Sequence, residues 1–173
     1  MEDVLSFWFE TLDPTDWFHK SDEVDATIRQ RFTQTYERIS VGEGSSWRVS
    51  PLGRLAEILV LDQLPRNMFR GTAKAFATDA MALVLSQEGI RQGADLKLDA
   101  IQRGFFYMPF MHSESLAVHS QAMVLFKDLK NFDYEVKHRD IIERFGRYPH
   151  RNGVLGRQST PSEVEWMQSN SGF

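Results

Sequence analysis

Cysteine is absent from the chain, and with it every disulfide, thiolate metal site and cysteine nucleophile. That absence fits a reducing compartment, and a cytoplasmic setting is expected. The N-terminus carries Glu2 and Asp3 where a secretory signal would carry basic residues, so no such signal is expected. No apolar run approaches the roughly 20 residues that cross a bilayer, so the expectation is a soluble protein without a membrane partner. Positive charge is not in excess. Twenty Lys and Arg against 24 Asp and Glu leave a net charge of −4, which argues against nucleic-acid binding by phosphate neutralisation. The glycines of Gly42-Glu43-Gly44-Ser45-Ser46 match no phosphate-binding fingerprint, and no Gly-x-Ser-x-Gly elbow occurs. Alternating strand patterns are missing as well.

What the chain does have is helical punctuation. Its 173 residues, 42% of them hydrophobic, suffice for one domain, 1–173, with a sizeable core. Glu2 to Glu10 reads as a short amphipathic helix, broken by Asp13-Pro14-Thr15-Asp16; the aromatics at 7 to 9 read as a core-capping cluster. Ser21 caps a helix to about Ser40, with Ile28, Phe32, Tyr36 and Ile39 on one face. Ser50-Pro51 opens a third helix, apolar on nearly every face to Leu64 and so central and buried. Thr78 with Asp79 starts the next, carrying Met81, Leu83, Val84, Leu85 and Ile90 as its apolar residues, and Gly93 ends it. Asp99-x-x-Gln102 is a capping box for a helix that Pro109 kinks or ends. Ser113 or Ser115 caps a helix to about Leu129, with Leu116, Met123, Phe126 and Leu129 inward. Asp133 opens a helix that Gly146 closes, Thr160-Pro161-Ser162-Glu163 caps the last, and the tail from Ser169 is expected to fray. The class is all-α, with seven to eight helices on short connections packed as antiparallel hairpins.

Two basic stretches interrupt this pattern. Arg144 to Arg157 holds four arginines, His150, Asn152 and no acid. Pro65-Arg66-Asn67-Met68-Phe69-Arg70-Gly71-Thr72 echoes it and is read as non-helical. Asp62, near the end of the most apolar helix, needs a cation if buried. The candidate constellation is Asp62, Arg66, Asn67, Arg70, His112, Glu114, Arg147, His150, Arg151 and Asn152. Arginine forks and asparagine amides suit a phosphate or carboxylate, and histidine with a carboxylate adds acid–base chemistry. The structural alternative is that the arginines cap helix ends and pair with buried acids. Glu135-x-x-His138 is half of a di-iron motif, but its other half is missing, so no metal and no cofactor are expected.

Four segments carry a resemblance. Trp17-Phe18, Asp62-Gln-Leu-Pro-Arg-Asn-Met-Phe-Arg-Gly71, Tyr107-Met-Pro-Phe-Met-His-Ser-Glu114, and Arg144-Phe-Gly-Arg-Tyr-Pro-His-Arg-Asn152 with Leu155-Gly-Arg157 resemble the bacterial domain-of-unknown-function family numbered 924. The resemblance spans essentially the whole chain. It implies a tetratricopeptide-like helical fold and no stated activity. Two functions follow as expectations: a pocket for a small anionic ligand, or an adaptor surface for a protein partner with the arginines structural. Neither an enzyme activity nor an oligomeric state is legible.

Overall fold

The computed structural model describes residues 1–170 and is predominantly helical, with no strand among the described residues. The last helix runs to Ser169; the rest of the expected frayed tail, residues 171–173, lies outside the described residues. The helices are α1 (Glu2–Ser6), α2 (Asp22–Ser40), α3 (Pro51–Ile58), α4 (Leu64–Met68), α5 (Asp79–Arg91), α6 (Ala100–Met111), α7 (Leu116–Leu125), α8 (Phe132–Phe145) and α9 (Pro161–Ser169). None is long and apolar enough to cross a membrane. Four of the expected caps form side-chain bonds, whereas Ser115 stands before α7 without one. Ser21 Oγ accepts from Val24 N at 3.2 Å and Ser50 Oγ from Gly53 N at 3.0 Å, and Asp99 and Thr160 both complete capping boxes. Gly146 closes α8 with φ +69°, a left-handed position that a Cβ would strain.

The centre is the rod built from α3, a π-helical turn over Leu59–Gln63, and α4. Every residue from 55 to 65 is buried. Helix α2 packs on α4, α5 and α6 pack on α3, and then α5 on α6, α6 on α7 and α7 on α8 follow in chain order. The aromatics near the N-terminus cap this core: Phe7 and Trp8 are buried, and Phe105 sits 5.7 Å from Phe9 and 4.9 Å from Trp17, ring centre to ring centre. A smaller apolar cluster, Ile141, Ile142 and Tyr148 with Phe145 and Trp166, joins α8 to the C-terminal segment.

The reading of Pro65 is corrected, and those of Thr78 and Pro109 are refined. The stretch from Pro65 is helical as far as Met68, not a loop. Proline brings no N–H and, in an α-register, presses on the carbonyl four residues back, that of Leu61. The wider π-turn, closed by Leu64 N–H on Leu59 O, relieves that contact. The Leu61 carbonyl is met instead by the Thr78 hydroxyl at 2.5 Å; Thr78 stands at the N-cap of α5, as expected, but its side chain braces the rod and makes no cap bond. Helix α6 likewise continues through Pro109 to Met111.

The other corrections concern helix faces. On α5 the fully buried residues are Ala82, Ser86 and Gly89; Met81, Leu83, Leu85 and Ile90 pack partly buried against the core, and Val84 is exposed. Small residues win that face because α6 comes close: a Cβ on Gly89 would stand 2.5 Å from the Phe106 ring. Ser86 adds a 2.5 Å hydrogen bond to the Phe106 carbonyl. Helix α7 ends at Leu125 and turns His119 and Ala122 inward, with Leu116 exposed; Phe126, just past its end, is buried and Leu129 packs against the core, as expected. His119 is buried because Glu135 of α8 meets it at 2.7 Å.

Candidate functional site

The basic stretches do not form one continuous surface. Several of their arginines are drawn to separate acids, and those acids lie on different elements. Arg70 grips Asp25 of α2 through two bonds of 2.6 and 2.8 Å, and Asn67 donates to the same carboxylate at 2.8 Å. Arg147 grips Glu163 of α9 at 2.6 and 2.8 Å and donates to Gln158 O at 3.0 Å. Its guanidinium, with the Thr160 N–H, holds the Glu163 carboxyl down at about 2. Asn152 donates to Ser159 Oγ at 3.1 Å and reaches Glu163 at 3.4 Å. Glu114 accepts from Arg157 at 2.6 and 2.9 Å and from the Tyr148 N–H at 2.7 Å. His150 is exposed, with its ring 5.5 Å from that of Tyr148. Four of the ten expected site residues, Asn67, Arg70, Arg147 and Asn152, are thus committed to braces outside the cleft described next.

Five of the others, Asp62, Arg66, His112, Glu114 and Arg151, meet at one corner. It lies where α4 begins, α5 begins, α6 ends and a short 3-10 turn, Pro149–Arg151, crosses. Asp62 is fully buried. It accepts from His112 Nδ1 at 2.8 Å and from Gln63 Nε2 at 2.5 Å, with Arg66 at 3.7 Å. Burial pushes its carboxyl up, but His112 and Arg66 outweigh burial and hold it below the usual carboxylate range. An ionised Asp62 only accepts, so His112 carries its proton on Nδ1, and Nε2 is the ring atom left for the cleft. The expected cation for Asp62 is present, but it is Arg66 at longer range, with His112 in closer contact.

Asp79, which sequence reasoning treated only as the start of a helix, is the hub. Arg66 Nη2 lies 2.8 Å from it and Arg151 Nη1 donates to it at 3.3 Å. Burial pushes the Asp79 carboxyl above its ordinary value despite Arg66. Both guanidiniums lie over the Phe76 ring, each 4.6 Å from its centre, and Arg151 also lies 4.5 Å from the Tyr148 ring. Arg66 further donates to the Ala75 carbonyl. Arg151 is 6% exposed, and its Nε is buried with no partner among the described residues. These groups border an open cleft of about 310 Å³ lined by Asp79, His112, Glu114 and Arg151 on its polar side and Phe76, Ala80, Leu83, Pro109 and Leu155 on its apolar side.

Behind the cleft stands a second buried polar group. His119 Nε2 donates to Ser113 O at 2.9 Å and lies 3.2 Å from Tyr148 Oη, which donates to Met111 O at 2.5 Å. Its Nδ1 meets Glu135 at 2.7 Å, and burial pushes the Glu135 carboxyl up. One proton is therefore held between two fully buried side chains. Glu135 turns to His119 and His138 Nδ1 to its own helix at Tyr134 O, so the half-motif Glu135-x-x-His138 does not converge. Among the described residues no group of three or more His, Asp or Glu is placed to hold a metal ion.

Fold and cleft together define an all-helical protein with a polar-and-apolar cleft at one end of its central rod. The pattern of a bacterial protein family of unknown function, DUF924, matches residues 4–171, and the chain belongs to that family. A solved structure of a protein of unknown function from Agrobacterium tumefaciens is 38% identical, with a TM-score of 0.94 over 98% of this chain and 97% of that one. No curated protein matches.

Proposed function

We propose that the cleft binds a small anionic ligand, with Arg151 and His112 as the groups that receive it and Asp62 as the residue that orients His112. The supporting observation is the incomplete pairing of Arg151. A buried guanidinium normally spends most of its five donors on protein acceptors. Arg151 has one 3.3 Å bond to a carboxylate and a buried Nε without a partner, and it borders the cleft. Arg70 and Arg147, by contrast, are each held by two short bonds to one acid.

The test is calorimetric titration of acetate and inorganic phosphate into the wild type, Arg151→Gln and Arg70→Gln. A charge-assisted bond contributes roughly 1.5–3 kcal/mol, so Arg151→Gln should weaken binding by about 10- to 100-fold. Arg70→Gln should leave it within twofold. Equal losses in both variants, or no binding by the wild type, would overturn the reading.

The alternative, a tetratricopeptide-like adaptor for a protein partner, rests on a shallow groove lined by Ile90, Phe110, Val124 and Leu125.

A further inference from the structure

We propose that the ligand of this cleft is a small monocarboxylate with an apolar tail, an inference that rests on the anion-binding reading above. Two features of the lining lead there. The first is its division. Arg151 and His112, with Asp79, Ser113 and Glu114, stand on one side, while Phe76, Ala80, Leu83, Pro109 and Leu155 form the apolar wall. A free phosphate or a polyhydroxylated anion would leave that wall facing polar groups it cannot bond. A hydrocarbon or aromatic tail covers it and releases the water there. The volume, about 310 Å³, lies at the small end of ligand pockets, so the tail is short: a few carbons or one ring.

The second feature is charge. Asp62, Asp79 and Glu114 face Arg66, Arg151 and Arg157 at this corner, three acids against three guanidiniums. The corner is already balanced when His112 is neutral. A single added negative charge can be matched by one added proton shared between ligand and corner. A dianion would need two protons in the same small volume, next to Glu114, which is already committed to Arg157. The site is thus suited to one carboxylate group, one oxygen taking a donor from Arg151 and the other sharing the added proton with His112 Nε2.

Calorimetry on the full chain with acetate, hexanoate, hexanol and inorganic phosphate separates head from tail. Hexanoate is expected to bind at least tenfold more tightly than acetate, and phosphate no better than acetate. Leu155→Ser, at a position already 37% exposed, should cut the hexanoate advantage several-fold and leave acetate unchanged. Acetate or phosphate binding as tightly as hexanoate would overturn the apolar tail while leaving an anion site standing. Hexanol binding as tightly as hexanoate would overturn the carboxylate head and the anion reading with it. No binding by any of the four would overturn both. The wild-type series decides among these outcomes even if a variant fails to fold.

Discussion

Replacing Asp62 tests the centre of the structure most directly. The carboxylate is fully buried at the π-turn of the central rod and accepts from His112 and Gln63. Asp62→Ala deletes both acceptors. It leaves a ring N–H and an amide with no bond in a site closed to water, and leaves Arg66 with Asp79 alone. Breaking a buried pair from one side costs about 3–5 kcal/mol. Asp62→Asn keeps one oxygen and the volume, loses the charge and should cost about 1–3 kcal/mol. Urea unfolding at neutral pH reads both, with an unchanged slope expected because the exposed surface is the same. The pH dependence supplies a second check. The Asp62 carboxyl is held below the ordinary aspartate range in the folded state by His112 and Arg66. Its contribution is therefore complete above the unfolded value and lost as pH falls through the lower folded one. The gap between wild type and Asp62→Asn should narrow only in that acid window. A loss within about 0.5 kcal/mol for Asp62→Ala, or a gap that closes at neutral pH, would refute the assigned role.

Two further changes probe what surrounds it. Thr78→Val keeps shape but withdraws the hydroxyl from the Leu61 carbonyl, so it should cost about 1–3 kcal/mol in urea unfolding; Ser115→Ala, where the side chain makes no cap bond, should be near neutral, and equal effects would discard the brace. Arg70→Ala breaks the two-bonded pair with Asp25 and should lose about 1 kcal/mol once solvent screening is allowed for, with acetate affinity unchanged; a stable variant that loses affinity would return Arg70 to the binding site.

Local signals were legible because local physics sets them. A capping box needs only residues three apart, and Asp99 with Gln102 and Thr160 with Glu163 form as their spacing implies. The apolar run to Leu64 told of a buried rod for the same reason. Faces were read less well where size outranked hydrophobicity. Ala82, Ser86 and Gly89 carry little apolar surface, yet they are the residues that let Phe106 approach. Pro65 misled in a related way, since a proline ends a helix unless a wider turn and a distant donor accommodate it. The distant donor is Thr78, whose spacing from Leu61 follows no local rule.

The candidate site was legible in its chemistry but not in its pairings. That Asp62 requires a cation follows from its place on a buried helix. Which group comes nearest does not, because His112 lies 50 residues further on. A similar gap separates two of the arginines from their acids: 45 residues for Arg70 and Asp25, 72 for Arg151 and Asp79. Only the packing of α2 on α4, and of the 3-10 turn near the start of α5, decides these matches. Once they are made, the meaning of a cationic stretch reverses. An arginine held by two short bonds has little left to offer a ligand, so the density of positive charge that drew attention to residues 144–157 is mostly internal bracing. What distinguishes Arg151 is a shortage of partners, and a shortage becomes visible only when the neighbours are in place.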